Sequence, residues 1–183
     1  MGRKYKFSDN SKLYFVTFTV VQWVDVFVRD TYRNIIYESL KFCQSNKGLE
    51  VYAYCIMTSH IHLIIGTDNG ALSDIVRDFK SFTSRQIRIA IGQNEQESRR
   101  AWMLEIFGKA GNKNERNIDY QFWQQHNHPV ELSNPIMLKQ RLYYIHDNPV
   151  VAGFVEKAED WMHSSAGDYY GTKKGRIELV MIE

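Results

Sequence analysis

Glu50-Val-Tyr-Ala-Tyr-Cys-Ile-Met-Thr-Ser-His-Ile-His-Leu-Ile-Ile-Gly66 contains two apolar runs, rich in β-branched and aromatic residues, separated only by Thr58-Ser59. Runs of this kind read as strands, and so short a link makes them an antiparallel hairpin, with strands over residues 50–57 and 61–66. Strand side chains alternate between faces, so His60 and His62 leave the same face while Ile61 points into a core. Two imidazoles stacked in this way can share one metal ion through their ring nitrogens. Two ligands alone leave positions open for substrate oxygens or water, which suits a catalytic ion more than a structural one. The competing reading is a hydrogen-bonded pair of cleft or surface histidines, and the tripeptide alone does not choose between them.

Outward from the hairpin, residues 13–20 (Leu-Tyr-Phe-Val-Thr-Phe-Thr-Val) read as another strand. Asp30 or Thr31 can cap a helix running to about Asn46, with Ile35, Ile36, Leu40 and Phe42/Cys43 on its apolar side and Lys47-Gly48 as its stop. Asp68-Asn69-Gly70 is a turn, followed by a long helix over residues 71–91 whose buried stripe is Leu72, Ile75, Val76, Phe79, Ile87 and Ala90. Its other side carries Arg77, Lys80, Ser84 and Arg88 at three- and four-residue steps, either a solvated face or a set of phosphate contacts. Residues 92–119 turn polar except for an apolar island at 102–107, and residues 108–117 are expected to form a loop. A strand is expected over 120–132, containing Phe122, Trp123, His126 and His128. Ser133-Asn134-Pro135 then starts a helix that ends against Asn148-Pro149. Residues 177–182 could add a final strand. The order strand, helix, strand, strand, helix, strand is the split β-α-β of a ferredoxin-like α+β sandwich, an antiparallel sheet with helices on one face. That fold hosts many functions and names none.

At 183 residues the chain is expected to be one domain over 1–183, with a polar insertion at about 92–119 and a tail from about 171. Hydrophobic residues make up 44%, but no run approaches the roughly 18 apolar residues of a membrane span. The basic start Met-Gly-Arg-Lys-Tyr-Lys-Phe has no apolar run behind it, so a signal peptide is not expected and the location is expected to be cytoplasmic. Cys43 and Cys55 have no metal-type spacing and read as small core residues. A net charge of +2 announces no polyanionic partner, so a nucleic-acid surface would have to come from local clustering.

A second cluster lies on the helix Leu138-Lys-Gln-Arg-Leu-Tyr-Tyr-Ile-His-Asp-Asn148. Leu138, Leu142 and Ile145 form its buried stripe. At about 100° per residue, Tyr144 and Asn148 share a face beside that stripe, while Tyr143 and Asp147 project further toward solvent. Tyr144 either caps the core with its hydroxyl wet or reaches into a cleft over the sheet.

Four segments in order, Tyr54-Cys-Ile-Met-Thr-Ser-His-Ile-His-Leu-Ile-Ile65, Phe79-Lys-Ser-Phe-Thr-Ser84, Phe122-Trp-Gln-Gln125 and Tyr144-Ile-His-Asp-Asn-Pro-Val-Val-Ala-Gly-Phe-Val155, together resemble the single-tyrosine HUH transposases. The REP-associated branch is the nearest in kind, and Trp161-Met-His-Ser-Ser-Ala-Gly-Asp-Tyr169 is similar to its C-terminal signature. The resemblance implies a metal-binding pair in His60 and His62, a nucleophile in Tyr144, and a further polar metal ligand in Asn148. Asn148 stands where the insertion-sequence relatives usually have glutamine, and the adjacent Tyr143 is the alternative nucleophile. It further implies cleavage and rejoining of single-stranded or hairpin DNA through a 5′-phosphotyrosine, with a divalent ion, Mg2+ or Mn2+, as cofactor. A phenol is a weak acid, with a pKa of about 10, and needs such help near neutral pH. Candidate phosphate contacts are Arg77, Lys80, Arg85 and Arg88, with Arg3, Lys4 and Lys6. Candidate stacking residues are Phe122, Trp123, Tyr169 and Tyr170. Insertion-sequence relatives act as dimers, each tyrosine over the partner's histidines, whereas REP-associated relatives can act as monomers, so a homodimer or a monomer is open. Two rival classes remain. One is a non-catalytic nucleic-acid-binding module on this fold, and the other is a metal-dependent nuclease that attacks with water and leaves no protein–DNA adduct.

Overall fold

A computed structural model describes residues 7–113, 119–125, 127 and 129–182. Strand β1 (Tyr14–Thr19) leads through a 3₁₀ turn (Val21–Trp23) to helix α1 (Asp30–Lys47), and then to the hairpin of β2 (Leu49–Ile56) and β3 (His60–Thr67). Helices α2 (Leu72–Gln93) and α3 (Arg100–Asn112) follow. After them come the two-residue β4 (Val130–Glu131), helix α4 (Pro135–Val151) and a short helix α5 (Ala166–Tyr169). The sheet order is β2-β3-β1-β4, with every pair antiparallel. This is the α+β ferredoxin-like arrangement that the element order implies. No helix among the described residues is long and apolar enough to cross a membrane.

Alternation along the strands divides the interior in two. Tyr14, Val16 and Phe18 of β1, with Ile61, Leu63 and Ile65 of β3, pack under α1 and α2. Tyr32, Ile36, Leu40 and Cys43 on α1 and Leu72, Ile75, Val76, Phe79, Ile87 and Ile91 on α2 supply the facing stripes. The other face holds Phe15, Ala53, Cys55, Met57 and Ile64, and it is not left bare: Ile145 of α4 seals part of it. Helices therefore lie on both sides of the sheet, and His60 and His62 emerge beside the patch that α4 covers.

Several local expectations change. No side chain caps α1; Asp30 sits in its first turn and pairs with Arg33 instead. Gly48 ends that helix with φ +70°, and its N–H donates to the Cys43 carbonyl. The polar stretch contains α3, whose buried Met103, Phe107 and Gly111 recur every four residues. Gly111 is needed there because a Cβ would meet the Tyr120 backbone at 2.4 Å. In place of a strand over 120–132, Trp123 makes one bridge with Val20, and only Val130–Glu131 joins the sheet. Phe122 and Trp123 are core residues, and His126 and His128 lie outside the described residues. The α4 start is as expected, with the Asn134 side chain accepting from Met137 N–H ahead of Pro135. The helix nevertheless runs on through Pro149 to Val151, because a proline so near its end costs only one helical hydrogen bond.

The C-terminal part lines the outer edge of β2. Ile56 N–H donates to His163 O (2.8 Å), Ser165 N–H donates to Tyr54 O (2.9 Å), and Val180 N–H donates to Val51 O (3.0 Å). Residues 177–182 thus contribute a single edge bond rather than a strand. Such cover removes the exposed ladder that would otherwise invite pairing with another chain.

Candidate active site

The antiparallel register sets His62 opposite Thr17 of β1 and Cys55 of β2, and His60 opposite Thr19. Opposed residues share a face, so Phe15, Thr17, His60 and His62 form one surface. The two imidazole centroids lie 4.7 Å apart. Helix α4 crosses this surface and presents Arg141, Tyr144 and Asn148, spaced three and four residues apart, along one side. The Tyr144 ring meets His62 edge-on at 5.2 Å and Phe15 at 5.8 Å. Asn148 lies close enough to the His60 ring to raise its pKa, Ser59 Oγ lies 3.2 Å from His60 Nδ1, and Arg141 lies over Phe15 at 4.9 Å and near Tyr144 at 5.9 Å. Tyr144 stays 45% exposed, so its hydroxyl is open to a substrate. Tyr143 is exposed and lies close enough to Tyr170 to affect its ionisation.

His62 is 4% exposed, and its Nε2 has no hydrogen-bond partner among the described residues. A buried unpaired nitrogen costs about 1–3 kcal/mol, which a ligand bonded to Nε2 would offset. Its Nδ1 lies 2.9 Å from Thr17 Oγ1. If Nδ1–H donates to that oxygen, Nε2 carries the free lone pair, the tautomer that a metal ligand requires. Burial lowers the His62 pKa to about 3, and the nearby His60 and Arg141 push it the same way. Burial also lowers His60, opposed by the neighbouring Asn148 side chain and by the charge of Asp25. Both rings are therefore neutral near pH 7, as ligation demands. No cluster of three or more His, Cys, Asp or Glu side chains suited to a metal occurs among the described residues. The donor set is two imidazoles and the Asn148 amide, and with its orphaned buried nitrogen it fits a divalent ion that keeps open positions.

The basic residues expected to touch phosphate are placed elsewhere. Arg77, Arg85 and Arg88 lie on α2, across the sheet from the histidines, where Arg77 pairs with Asp74 and Asp78 and Arg88 covers the Tyr120 ring at 4.4 Å. Lys80 turns inward, bonding the Gln124 carbonyl and the Asn127 side chain, and burial lowers its pKa to about 8. Arg3, Lys4 and Lys6 lie outside the described residues. Of the expected stacking residues, Tyr169 is tied by its hydroxyl to Tyr52 O, and Tyr170 is exposed. Thr17 and Arg141 went unnoticed in the sequence. Arg141 had a signal, one helical turn before Tyr144; Thr17 had none, because its position opposite His62 is a matter of strand register.

A profile of the family described as "Transposase IS200 like" matches residues 10–120. No curated protein sequence matches the chain. Among solved structures, a REP-associated tyrosine transposase bound to a REP hairpin aligns with a TM-score of 0.65 and 15% identity, covering 100% of this chain and 94% of that one. At that identity the likeness is one of fold. A Deinococcus radiodurans R1 protein described as a transposase aligns over 79% of this chain and 94% of its own, at 18% identity and a TM-score of 0.44, too low to carry an argument. The profile spans more than half of the chain, including β1, the hairpin with both histidines and the two helices behind the sheet: this chain belongs to the IS200-like transposase family.

Proposed function

We propose that the protein cleaves and rejoins single-stranded DNA at a hairpin, with Tyr144 as nucleophile. The observation that carries this reading is the edge contact between the exposed Tyr144 ring and His62, whose buried Nε2 has no partner among the described residues. In the forward step the Tyr144 oxygen bonds to a backbone phosphorus and the bond from phosphorus to the 3′-oxygen breaks. The phenolic proton passes to solvent and the departing oxygen takes one up, which gives a 5′-phosphotyrosine and a free 3′-hydroxyl. Attack by a 3′-hydroxyl reverses the step, so rejoining consumes no nucleotide. His60, His62 and the Asn148 amide would hold a divalent cation, Mg2+ or Mn2+, which when bound would supply Lewis-acid polarisation of the phosphate. Thr17 holds the His62 ring in orientation, and the Arg141 guanidinium adds positive charge beside the tyrosine, suited to a phosphate oxygen. Tyr144 and both histidines come from one chain, which supports a site complete in a monomer. The fold shared with a transposase solved on a REP hairpin supports hairpin DNA as the substrate class.

The test is to incubate labelled single-stranded hairpin oligonucleotides with the protein and Mn2+ and look for an adduct that survives denaturation. Wild type is expected to form it, and Tyr144→Phe and His62→Ala are expected to lose it. Cleavage without an adduct, or an adduct that persists in Tyr144→Phe, would overturn the assignment.

A further inference from the structure

Trp23 sits at the opposite end of the histidine pair from Tyr144 and leaves its indole in solvent, 57% exposed. Its neighbours Val21, Val24 and Val26 are buried. Packing alone would be expected to turn the indole inward, since it offers more apolar area than any of them. The chain instead adopts left-handed backbone at two consecutive non-glycine residues, Gln22 (φ 53°) and Trp23 (φ 55°). Such conformations persist only where the surroundings over-determine them. Here they do: Val20 N–H donates to Ser59 O (2.9 Å), Val21 N–H to Phe122 O (2.8 Å) and Trp23 N–H to Val20 O (3.0 Å). The anchored turn holds the indole edge-on to His60, with centroids 5.2 Å apart. Trp23 meets His60 and Tyr144 meets His62, so the two aromatic side chains flank the pair.

Resting on the proposed function, we infer that Trp23 is a stacking platform for an unpaired base of the DNA strand, the base on the 5′ side of the cleaved bond. Displacement at phosphorus runs in line, with the leaving oxygen opposite the attacking one. With Tyr144 on one side of the histidines, the nucleotide that keeps the 3′-hydroxyl departs toward the other, where the exposed indole waits. Stacking suits this place because every base has a π-face, so the platform grips a strand without reading its sequence.

The experiment compares binding of fluorescently labelled dT15 and a fully abasic 15-mer by wild type, Trp23→Phe and Trp23→Ala. Wild type should prefer dT15, and Trp23→Ala should lose about 5- to 150-fold of that preference, the range spanned by one base on one aromatic ring. Trp23→Phe should keep part of it. All three should bind the abasic strand equally, which also shows that the variants fold. In a hairpin oligonucleotide that the wild type cleaves, removing the base just 5′ of the cut should slow wild type and leave Trp23→Ala no slower than it already is. A preference for dT15 untouched in Trp23→Ala, or sensitivity to a base 3′ of the cut instead, overturns this assignment while leaving the proposed function intact. Failure of the wild type to bind dT15 overturns this assignment, whereas the proposed function falls only if no adduct forms on a hairpin oligonucleotide.

Discussion

At the scale of the residue, the site depends on how one imidazole is held. Thr17 Oγ1 occupies His62 Nδ1, while the buried Nε2 has no partner among the described residues. Partners of this kind, which orient a metal-binding histidine, typically change metal affinity by about 10- to 100-fold when removed. Thr17→Val, nearly isosteric, is accordingly expected to weaken Mn2+ binding by about that factor in calorimetric titration, and an unchanged affinity would mean that the hydroxyl does not set the ring. That His60 and His62 share one face, and Tyr144 and Asn148 another, could be read from the sequence, because strand alternation and helical spacing fix faces locally. Thr17 could not, since strand register is set by pairing between distant segments. The basic residues show a related limit. Their spacing on α2 marked an outward face for Arg77, Arg85 and Arg88 but not for Lys80, which turns inward, and nothing local says on which side of the sheet that helix lies.

At the scale of the element, α4 carries the nucleophile candidate and rests on the sheet through a small apolar patch. Ile145 is fully buried there against the face of Phe15, Ala53, Cys55 and Ile64. Ile145→Ala should destabilise the protein by about 2–5 kcal/mol in chemical denaturation. It should also slow adduct formation in the fraction still folded, because Tyr144 is the preceding residue and a small displacement is costly in a reacting geometry. Full activity in a folded variant would show that α4 is positioned by other contacts. The start of α4 was legible in Asn134-Pro135, whereas its end was misplaced because Pro149 falls where a proline is still tolerated. Helix α3 was hidden because its apolar island at 102–107 is set between polar stretches, although Met103, Phe107 and Gly111 do repeat at four-residue steps. Strand β4 is short because the chain before it follows its own path, pinned through buried Phe122 and Trp123 rather than by a ladder.

At the scale of the whole molecule, the fold holds several histidines neutral, and stability should depend on pH for that reason. Burial lowers His146 and His163 to about 4 and His62 to about 3, from 6.5. Between pH 6.5 and about 4 the unfolded chain binds protons that the folded chain refuses, so their contribution is complete above 6.5 and is lost as the pH falls through that window. His146 is 2% exposed and bonded through Nε2 to Ser165 Oγ at 2.9 Å, which ties α4 to the segment along β2. Its share is at most about 3 kcal/mol. The stability difference between wild type and His146→Gln, measured by urea unfolding, should shrink from pH 7 to pH 4.5; a constant difference would mean that His146 takes up its proton in the folded state. Such linkage was invisible in the sequence, where a histidine is only a residue type and burial belongs to the assembled chain. The sandwich itself was legible because the order of elements and the alternation in the hairpin leave few topologies. The central claim, that Tyr144 is the attacking group of a transposase, is tested most directly by trimming the covalent DNA adduct with nuclease and locating the residual nucleotide by tandem mass spectrometry. The account predicts the added mass on Tyr144, whereas its presence on Tyr143, or strand cleavage with no modified tyrosine, would contradict it.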